Sequence, residues 1–164
     1  MPSSTVKRVV LYRFDRQPIE GFVNPHAYLR DHELEIMTLA GSVQASPYLD
    51  VKALCFASER SSNNLFTAHN LFERRPKVPG LWTRFTFRDN DQLDGILSHN
   101  LLEWPNPGFF LTPPRASATR QRVFVPREAV NRTEILGVVG ASALRVLKRA
   151  KGKPTGDQLK MFDS

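Results

Sequence analysis

The sequence predicts a mainly β protein with two tandem small barrels, followed by a short C-terminal helix and a flexible tail. Three observations support this prediction: short segments that alternate apolar and polar residues, turn residues between these segments, and a pattern that occurs twice. We place the first barrel at residues 6–57, a linker at 58–79, the second barrel at 81–140, a short basic helix at 141–151 and the tail at 152–164. A chain of 164 residues is long enough for two such small domains.

The internal repeat is clearest in two strand–turn–strand segments, residues 11–23 and 85–97. Aligned without gaps, Asp15 matches Asp89, Ile19 matches Leu93, Glu20 matches Asp94 and Gly21 matches Gly95. The Asp-rich turns suit tight connections between antiparallel strands. The two glycines lie within strand patterns and indicate bulges or sharp bends, as the corners of a small barrel require.

The match continues downstream, which favours duplication over chance similarity of two β-rich segments. Residues 34–37 parallel residues 109–112 as a third strand, and Ser46-Pro47 with its following strand parallels Val125-Pro126. The linker carries apolar residues at 65–66 and 71–72, which we expect to lie across a barrel.

Each unit resembles SH3-like and Sm-like barrels, in which five short strands occupy roughly sixty residues. The resemblance rests on the Asp turn followed by an apolar-x-Gly strand, and on Ile135-Leu136-Gly137, which is similar to the closing Ile-x-Gly of Sm-like domains. The first unit ends in Leu54-Cys55-Phe56 without this glycine, and neither unit has the asparagine-bearing RNA loop of that family. The resemblance therefore implies a fold, without ring assembly or RNA binding. The whole chain also resembles a bacterial domain family of unknown function.

Composition and cysteine content limit the classes of function. The net charge of +7 favours an anionic partner, with a merely solubilising charge as the alternative because the basic residues are spread widely. Cys55 is the single cysteine, which excludes an intrachain disulfide, and its apolar surroundings predict a buried, inert thiol. No segment has the length of a signal peptide core or a membrane span, so we expect a cytoplasmic protein that does not bind membranes.

The residues needed for catalysis or metal binding are not found in a recognisable pattern. The four histidines (His26, His32, His69 and His99) do not pair with Cys, Asp or Glu at metal-ligand spacing. There is no Gly-x-Ser-x-Gly motif, and the segment 152–155 lacks the upstream glycine of a phosphate-binding loop. We therefore expect no catalytic residue, no metal, no cofactor and no enzyme activity.

Two groups of basic residues are candidates for contact with nucleic acid. The first borders the polar segment 116–119 and comprises Arg115, Arg120, Arg122 and Arg127. The second lies near the C-terminus and comprises Lys148, Arg149, Lys151 and Lys153. Such groups neutralise phosphates without reading sequence, and Trp82 and Trp104 are candidate stacking surfaces for bases. Alternatively, the arginines only solvate a loop and Trp82 belongs to the core.

The C-terminal segment 158–162 resembles the bacterial sliding-clamp-binding pentapeptide, whose commonest form is Gln-Leu-x-Leu-Phe. The resemblance implies that the Gln158 carboxamide binds at a pocket rim and that Leu159, Met161 and Phe162 fill apolar pockets on the clamp. Met161 replaces the usual leucine, a swap that normally costs less than about 1.5 kcal/mol. In the alternative arrangement, the tail folds back and covers a barrel edge.

The leading hypothesis is a non-enzymatic DNA replication or repair accessory protein that docks on the bacterial sliding clamp and contacts DNA with its basic body. Two other hypotheses fit the sequence: a small-barrel module that binds RNA or single strands, and a protein-interaction scaffold without nucleic acid. The sequence leaves open the pathway, the preference for DNA or RNA, and the oligomeric state.

Overall fold

The chain forms one ten-stranded antiparallel sheet in a computed structural model, which describes residues 6–56, 65–66, 70–114 and 122–140. The strands are β1 (Lys7–Arg13), β2 (Arg16–Val23), β3 (Glu33–Thr38), β4 (Val43–Pro47), β5 (Val51–Phe56), β6 (Gly80–Phe87), β7 (Gln92–Leu97), β8 (Gly108–Thr112), β9 (Arg122–Pro126) and β10 (Val130–Val139). Three short 3-10 helices, and no α-helix, occur in this part of the chain. The prediction of a mainly β protein is confirmed, whereas the expected helix at 141–151 and the tail lie outside the described residues.

The sheet consists of two halves with the same strand order. We call strands β1–β5 the N-terminal half and strands β6–β10 the C-terminal half. Across the sheet the order is β10-β6-β7-β8-β9-β5-β1-β2-β3-β4, so each half reads fifth, first, second, third and fourth strand. Each half also has a 3-10 helix between its fourth and fifth strands, at Tyr48–Asp50 and at Arg127–Ala129.

Strand register repeats between the halves, residue by residue. Leu11 of β1 pairs with Ile19 and Leu54, and the matching Phe85 of β6 pairs with Leu93 and Thr133. The first and fifth strands also share an irregularity, because one extra residue is accommodated in each fifth strand: Lys52 in β5 and Asn131 in β10. The two halves therefore place equivalent residues at equivalent positions of the sheet.

The two halves are joined because β9, the fourth strand of the C-terminal half, pairs with β5, the fifth strand of the N-terminal half. Leu54 lies opposite Phe124, Cys55 opposite Val123 and Phe56 opposite Arg122. The two predicted repeats thus form one continuous sheet, in which β5 and β9 lie where the halves meet; we call these two strands the shared wall.

The core consists of two buried clusters on opposite faces of this shared wall. Leu54 and Phe124 belong to the cluster that fills the N-terminal half, whereas their neighbours Cys55 and Val123 belong to the cluster of the C-terminal half. Successive residues of a strand point to opposite faces of the sheet. Both faces of β5 and β9 are consequently buried, which explains why these strands are mostly apolar rather than alternating; the charged exceptions are Lys52 in β5 and Arg122 at the start of β9.

The described linker residues pack against this framework. Phe66 contacts the rings of Tyr12 at 5.4 Å and Phe87 at 5.2 Å between centroids, so it bridges the two halves. Further along, the backbone oxygen of Asn70 accepts a 2.7 Å hydrogen bond from the amide of Asp94 on β7. The linker is therefore part of the packed structure at these points.

Candidate functional site

The two predicted basic groups fall largely outside the described residues. Those that lie outside are Arg115, Arg120, Lys148, Arg149, Lys151 and Lys153, together with the clamp-binding candidates Gln158, Leu159, Met161 and Phe162. Arg122 and Arg127 remain, one at the start of β9 and one in the 3-10 helix that follows it. These two residues are the candidate nucleic-acid contacts that the structure describes.

Arg122 stacks on an aromatic ring of the neighbouring strand. Its guanidinium carbon lies 4.5 Å from the ring centre of Phe110, which β8 places next to β9 by antiparallel pairing. The side chain is exposed, so the stacking orients the guanidinium without burying it. The side chain of Arg122 donates no hydrogen bond to another described residue, so its planar guanidinium can meet an anion such as a phosphate.

Arg127 is oriented by a similar contact on the other side of β8. Its guanidinium carbon lies 4.8 Å from the ring centre of Phe109, and its Nε donates a 3.0 Å hydrogen bond to the backbone oxygen of Asn106. Because Phe109 and Phe110 are successive residues of one strand, their rings point to opposite faces of the sheet. The structure thus places the two arginines on different faces rather than side by side along one edge.

A groove of about 240 Å³ lies beside Arg122, between β7, β8 and the segment 98–104. Ile96 and Thr112 contribute to its walls, and His99, Glu103 and Trp104 line its polar side. The groove therefore brings one guanidinium and one carboxylate together with the apolar side chains of β7 and β8.

The carboxylate of Glu103 is tied into a small local network. It accepts a 2.7 Å hydrogen bond from the Ser98 hydroxyl and a 3.1 Å bond from the Asn100 amide. These two donors, the hydroxyl first, lower the pKa of Glu103 from its ordinary value. The groove consequently keeps a negative charge near Arg122 at neutral pH, which reduces its affinity for anions.

The two tryptophans predicted as stacking surfaces both have partners within the protein. Trp104 donates its indole N–H to the backbone oxygen of Ser98 at 2.8 Å, and its ring meets Phe109 edge-on. Trp82 donates to Asp94 at 3.3 Å and contacts Phe72 edge-on. Both side chains are half-buried and serve packing in this conformation.

Asp94 is the centre of a buried polar network. It is fully buried and accepts two hydrogen bonds from the Arg84 guanidinium, at 2.7 and 3.0 Å, and one from the amide of Phe72. These bonds satisfy a carboxylate that burial alone would destabilise. The hydrogen bond to Asp94 also raises the pKa of Arg84. Asp94 therefore fixes the linker to the C-terminal half.

A buried lysine is the feature that sequence reasoning missed. Lys52 lies in the apolar run of β5, yet its ammonium group bonds Asp89 at 2.6 Å and also bonds Asp91, both in the turn between β6 and β7. Its ammonium also lies over the ring of Phe66 at 4.1 Å. The sequence signal that could have revealed it is a single lysine within an otherwise apolar strand, because a buried charge needs partners.

The described residues contain no group of three metal-ligating side chains, and none of the helices among them could cross a membrane. Cys55 is buried and burial raises the pKa of its thiol to about 11, which agrees with the expected inert thiol.

Comparison with known proteins supplies a family. A family of unknown function, DUF6982, matches residues 5–137. The chain belongs to this family. The DUF6982 match covers the sheet from β1 to Gly137 of β10 and stops before the clamp-like peptide. Neither a curated protein nor a solved structure matches the chain.

Proposed function

We propose that this protein is a non-enzymatic accessory factor of DNA replication or repair, which docks on the bacterial sliding clamp through its C-terminal peptide. The observation that carries the proposal is the sequence Gln158-Leu159-Lys160-Met161-Phe162 near the end of the chain. A short peptide of this kind binds by ordering on the clamp surface, with Leu159, Met161 and Phe162 as apolar anchors.

The organisation of the body supports a role for the peptide outside the fold. All members of the two buried clusters that the structure describes lie between Val9 and Val130, ahead of the peptide in the chain. The family match also ends at residue 137, so the peptide lies outside the matched region. We further propose that the two halves are tandem SH3-like or Sm-like barrels, a view supported by their identical strand order.

A basic body adds a second contact to a weakly binding peptide. Arg122 and Arg127 are exposed and held by aromatic rings, which suits contacts with DNA phosphates. Because they lie on different faces of the sheet, each would contact a separate phosphate, and Glu103 makes the contact of Arg122 the weaker one. Two weak contacts on one chain raise the effective concentration of each at its site. In this arrangement the peptide holds the clamp while the body touches the DNA that passes through it.

The test of the clamp contact is a calorimetric titration of the full chain against purified clamp. We expect measurable binding that falls by more than about tenfold in the Leu159→Ala, Phe162→Ala double variant, because both apolar anchors are lost. Lys160→Ala is the matched control and should stay within about twofold, since Lys160 occupies the variable position of the Gln-Leu-x-Leu-Phe motif that the peptide resembles. Undiminished binding of the double variant, or no binding of the natural chain, would refute the proposal.

The second candidate function is a small-barrel module that binds RNA or single-stranded DNA, which the repeated strand order and the stacked arginines favour. A salt series with labelled oligonucleotides tests it. Replacing Arg122 or Arg127 by alanine should each reduce the slope of log affinity against log salt by about 1. Arg30→Ala is a suitable control, because Arg30 is paired with Glu35 at 3.1 Å and lies in the other half. Absence of binding at low salt would remove this candidate.

A further inference from the structure

The ends of the sheet carry most of the exposed apolar surface of the described part of the protein. Strands β4 and β10 form the two edges of the strand order. The described residues include eleven large apolar side chains that are exposed, and six of them belong to β10 or to the hairpin of β3 and β4. They are Ile135, Leu136 and Val138 on β10, and Met37, Leu39 and Val43 on the hairpin. Exposed apolar edges of this kind favour pairing with another strand.

The two edges differ in type, and comparison of the two halves identifies the neighbouring strand that each edge lacks. In the middle of the sheet, a fourth strand (β9) pairs with a fifth strand (β5). Among the strands that the structure describes, β4 is a fourth strand without a fifth beside it, and β10 is a fifth strand without a fourth beside it. Each edge thus offers the surface that the other edge would need.

We propose that β4 of one copy of this protein pairs with β10 of a second copy, in the same register that joins β9 to β5 within the chain. The two fourth strands, β4 and β9, can be aligned on the prolines at their ends, Pro47 and Pro126. The two fifth strands, β5 and β10, can be aligned on their extra residues, Lys52 and Asn131. Transferring the register of the internal contact places Thr133 opposite Ala45, Glu134 opposite Gln44 and Ile135 opposite Val43.

The side chains that meet in this register are compatible. Val43 is 72% exposed and Ile135 is 60% exposed, and pairing them removes two of the exposed apolar residues from water. Glu134 meets an amide rather than another carboxylate, so no like charges oppose each other. Apolar cross-strand pairs and polar pairs without charge conflict both stabilise antiparallel strands.

The features that usually protect an edge do not block this contact. Strand β4 carries no charged residue, and its proline lies at the strand end, outside the pairing register. Strand β10 carries Arg132 and Glu134, which pair with each other at 2.8 Å. Arg75 donates to the Val138 oxygen of β10, beyond the three paired positions. Strand β10 contains an extra residue at Asn131, but Lys52 is the same irregularity in β5, and β5 still pairs with β9. The second irregularity of β10 follows Ile135 and therefore lies beyond the three paired positions.

This contact is head-to-tail. Each copy brings one β4 edge and one β10 edge, so pairing leaves a free edge of each type at the ends until the assembly closes on itself. The proposal is independent of the clamp peptide, since all of its residues lie in the sheet.

Cross-linking with paired cysteines tests the register. In a Cys55→Ala background, Val43→Cys and Ile135→Cys are prepared as separate proteins, mixed, and oxidised with air and a copper catalyst. Opposite residues of antiparallel strands lie about 4.5–5.5 Å apart between Cα atoms, which is within the range for a disulfide. We expect a covalent dimer in the mixture and only traces with either protein alone.

The single-protein controls distinguish the alternatives. A covalent dimer from Val43→Cys alone would indicate β4 against β4, and one from Ile135→Cys alone would indicate β10 against β10. Either result, as well as a mixture that does not cross-link, would overturn the proposal.

A charge exchange tests the same contact without cross-linking, by sedimentation velocity over a concentration series. Ile135→Asp should weaken assembly by more than about tenfold, because an unpaired carboxylate enters the contact. Val43→Lys together with Ile135→Asp should restore it. Leu102→Asp is the matched control, because Leu102 is 94% exposed and lies away from both edges. A natural chain that remains monomeric at every concentration, or an unaffected Ile135→Asp variant, would contradict the proposal; circular dichroism confirms that each variant is folded.

Discussion

The ammonium group of Lys52 donates a 2.6 Å hydrogen bond to the carboxylate of Asp89, across the boundary between the two halves of the sheet. Asp91 in the same turn accepts a second bond from this group. The Lys52 side chain is only 8% exposed and occupies the extra position of β5, the position that Asn131 has in β10. The extra residue of β5 therefore places a cation against the turn between β6 and β7 of the C-terminal half.

Replacing Lys52 by methionine removes the charge and keeps most of the apolar stem. We expect a loss of about 1–3 kcal/mol in the free energy of unfolding, because the ion pairs disappear while both carboxylates keep access to water. Urea unfolding measures this loss. Asp89→Asn with Asp91→Asn should be more damaging than Lys52→Met, since it leaves a buried ammonium without an anion. A double variant as stable as the natural protein would show that the pairs contribute nothing.

Phe124→Ala should destabilise both halves together. Phe124 is fully buried, comes from β9 of the C-terminal half, and fills the cluster of the N-terminal half against Tyr48. Removing a buried phenylalanine side chain costs about 3–5 kcal/mol. Denaturant unfolding followed by fluorescence and circular dichroism should give one shifted transition, whereas Leu102→Ala at the surface should change stability by less than about 0.5 kcal/mol. Two separate transitions in the natural protein would contradict a shared core.

Two glycines that both lie in strands should respond differently to alanine. A Cβ on Gly21 would sit 2.4 Å from the carbonyl oxygen of Met37, so β2 and β3 must move apart to admit it. We expect Gly21→Ala to cost about 1–3 kcal/mol. A Cβ on Gly137 meets nothing within 4 Å, so Gly137→Ala should be neutral or stabilise the protein by up to about 1 kcal/mol. Thermal unfolding of the two variants in parallel checks this order, and equal effects would refute the steric explanation.

The sequence predicts the strands of each half well, because turns and alternation are local signals. The matches of Ile19 with Leu93 and of Gly21 with Gly95 are the matches that the register repeats. The interpretation of Gly21 was less accurate: the strand irregularities lie elsewhere, and this glycine permits the close approach of β3 instead.

The pairing of β5 with β9 could not be predicted, because no local signal identifies a distant partner strand. The apolar residues of β5 are the one local sign of burial on both faces, and Lys52 interrupts this run. The positions of Arg122 and Arg127 depend on which face of β8 each stacked ring occupies, which becomes clear only once strand positions are known. The clamp-binding peptide stays a prediction from sequence.

The free energy of unfolding should fall in alkali, because the Cys55 thiol loses its proton more easily in the unfolded chain than in the buried site. Burial raises the pKa of Cys55 from 9.0 to about 11, so the thiol's contribution is complete below about pH 9 and is lost as the pH rises to about 11. The full change is about 2–3 kcal/mol for a shift of this size. Urea unfolding of the natural protein and of Cys55→Ala at several pH values measures this change, because the ionisation of Tyr28 and Tyr48 affects both proteins alike. Tyr12 differs, since Cys55 contributes to raising the pKa of Tyr12, and Tyr12→Phe in both proteins removes that contribution. The stability advantage of the natural protein should shrink across this window, and parallel curves would show that Cys55 ionises as freely in the folded state as in the unfolded one.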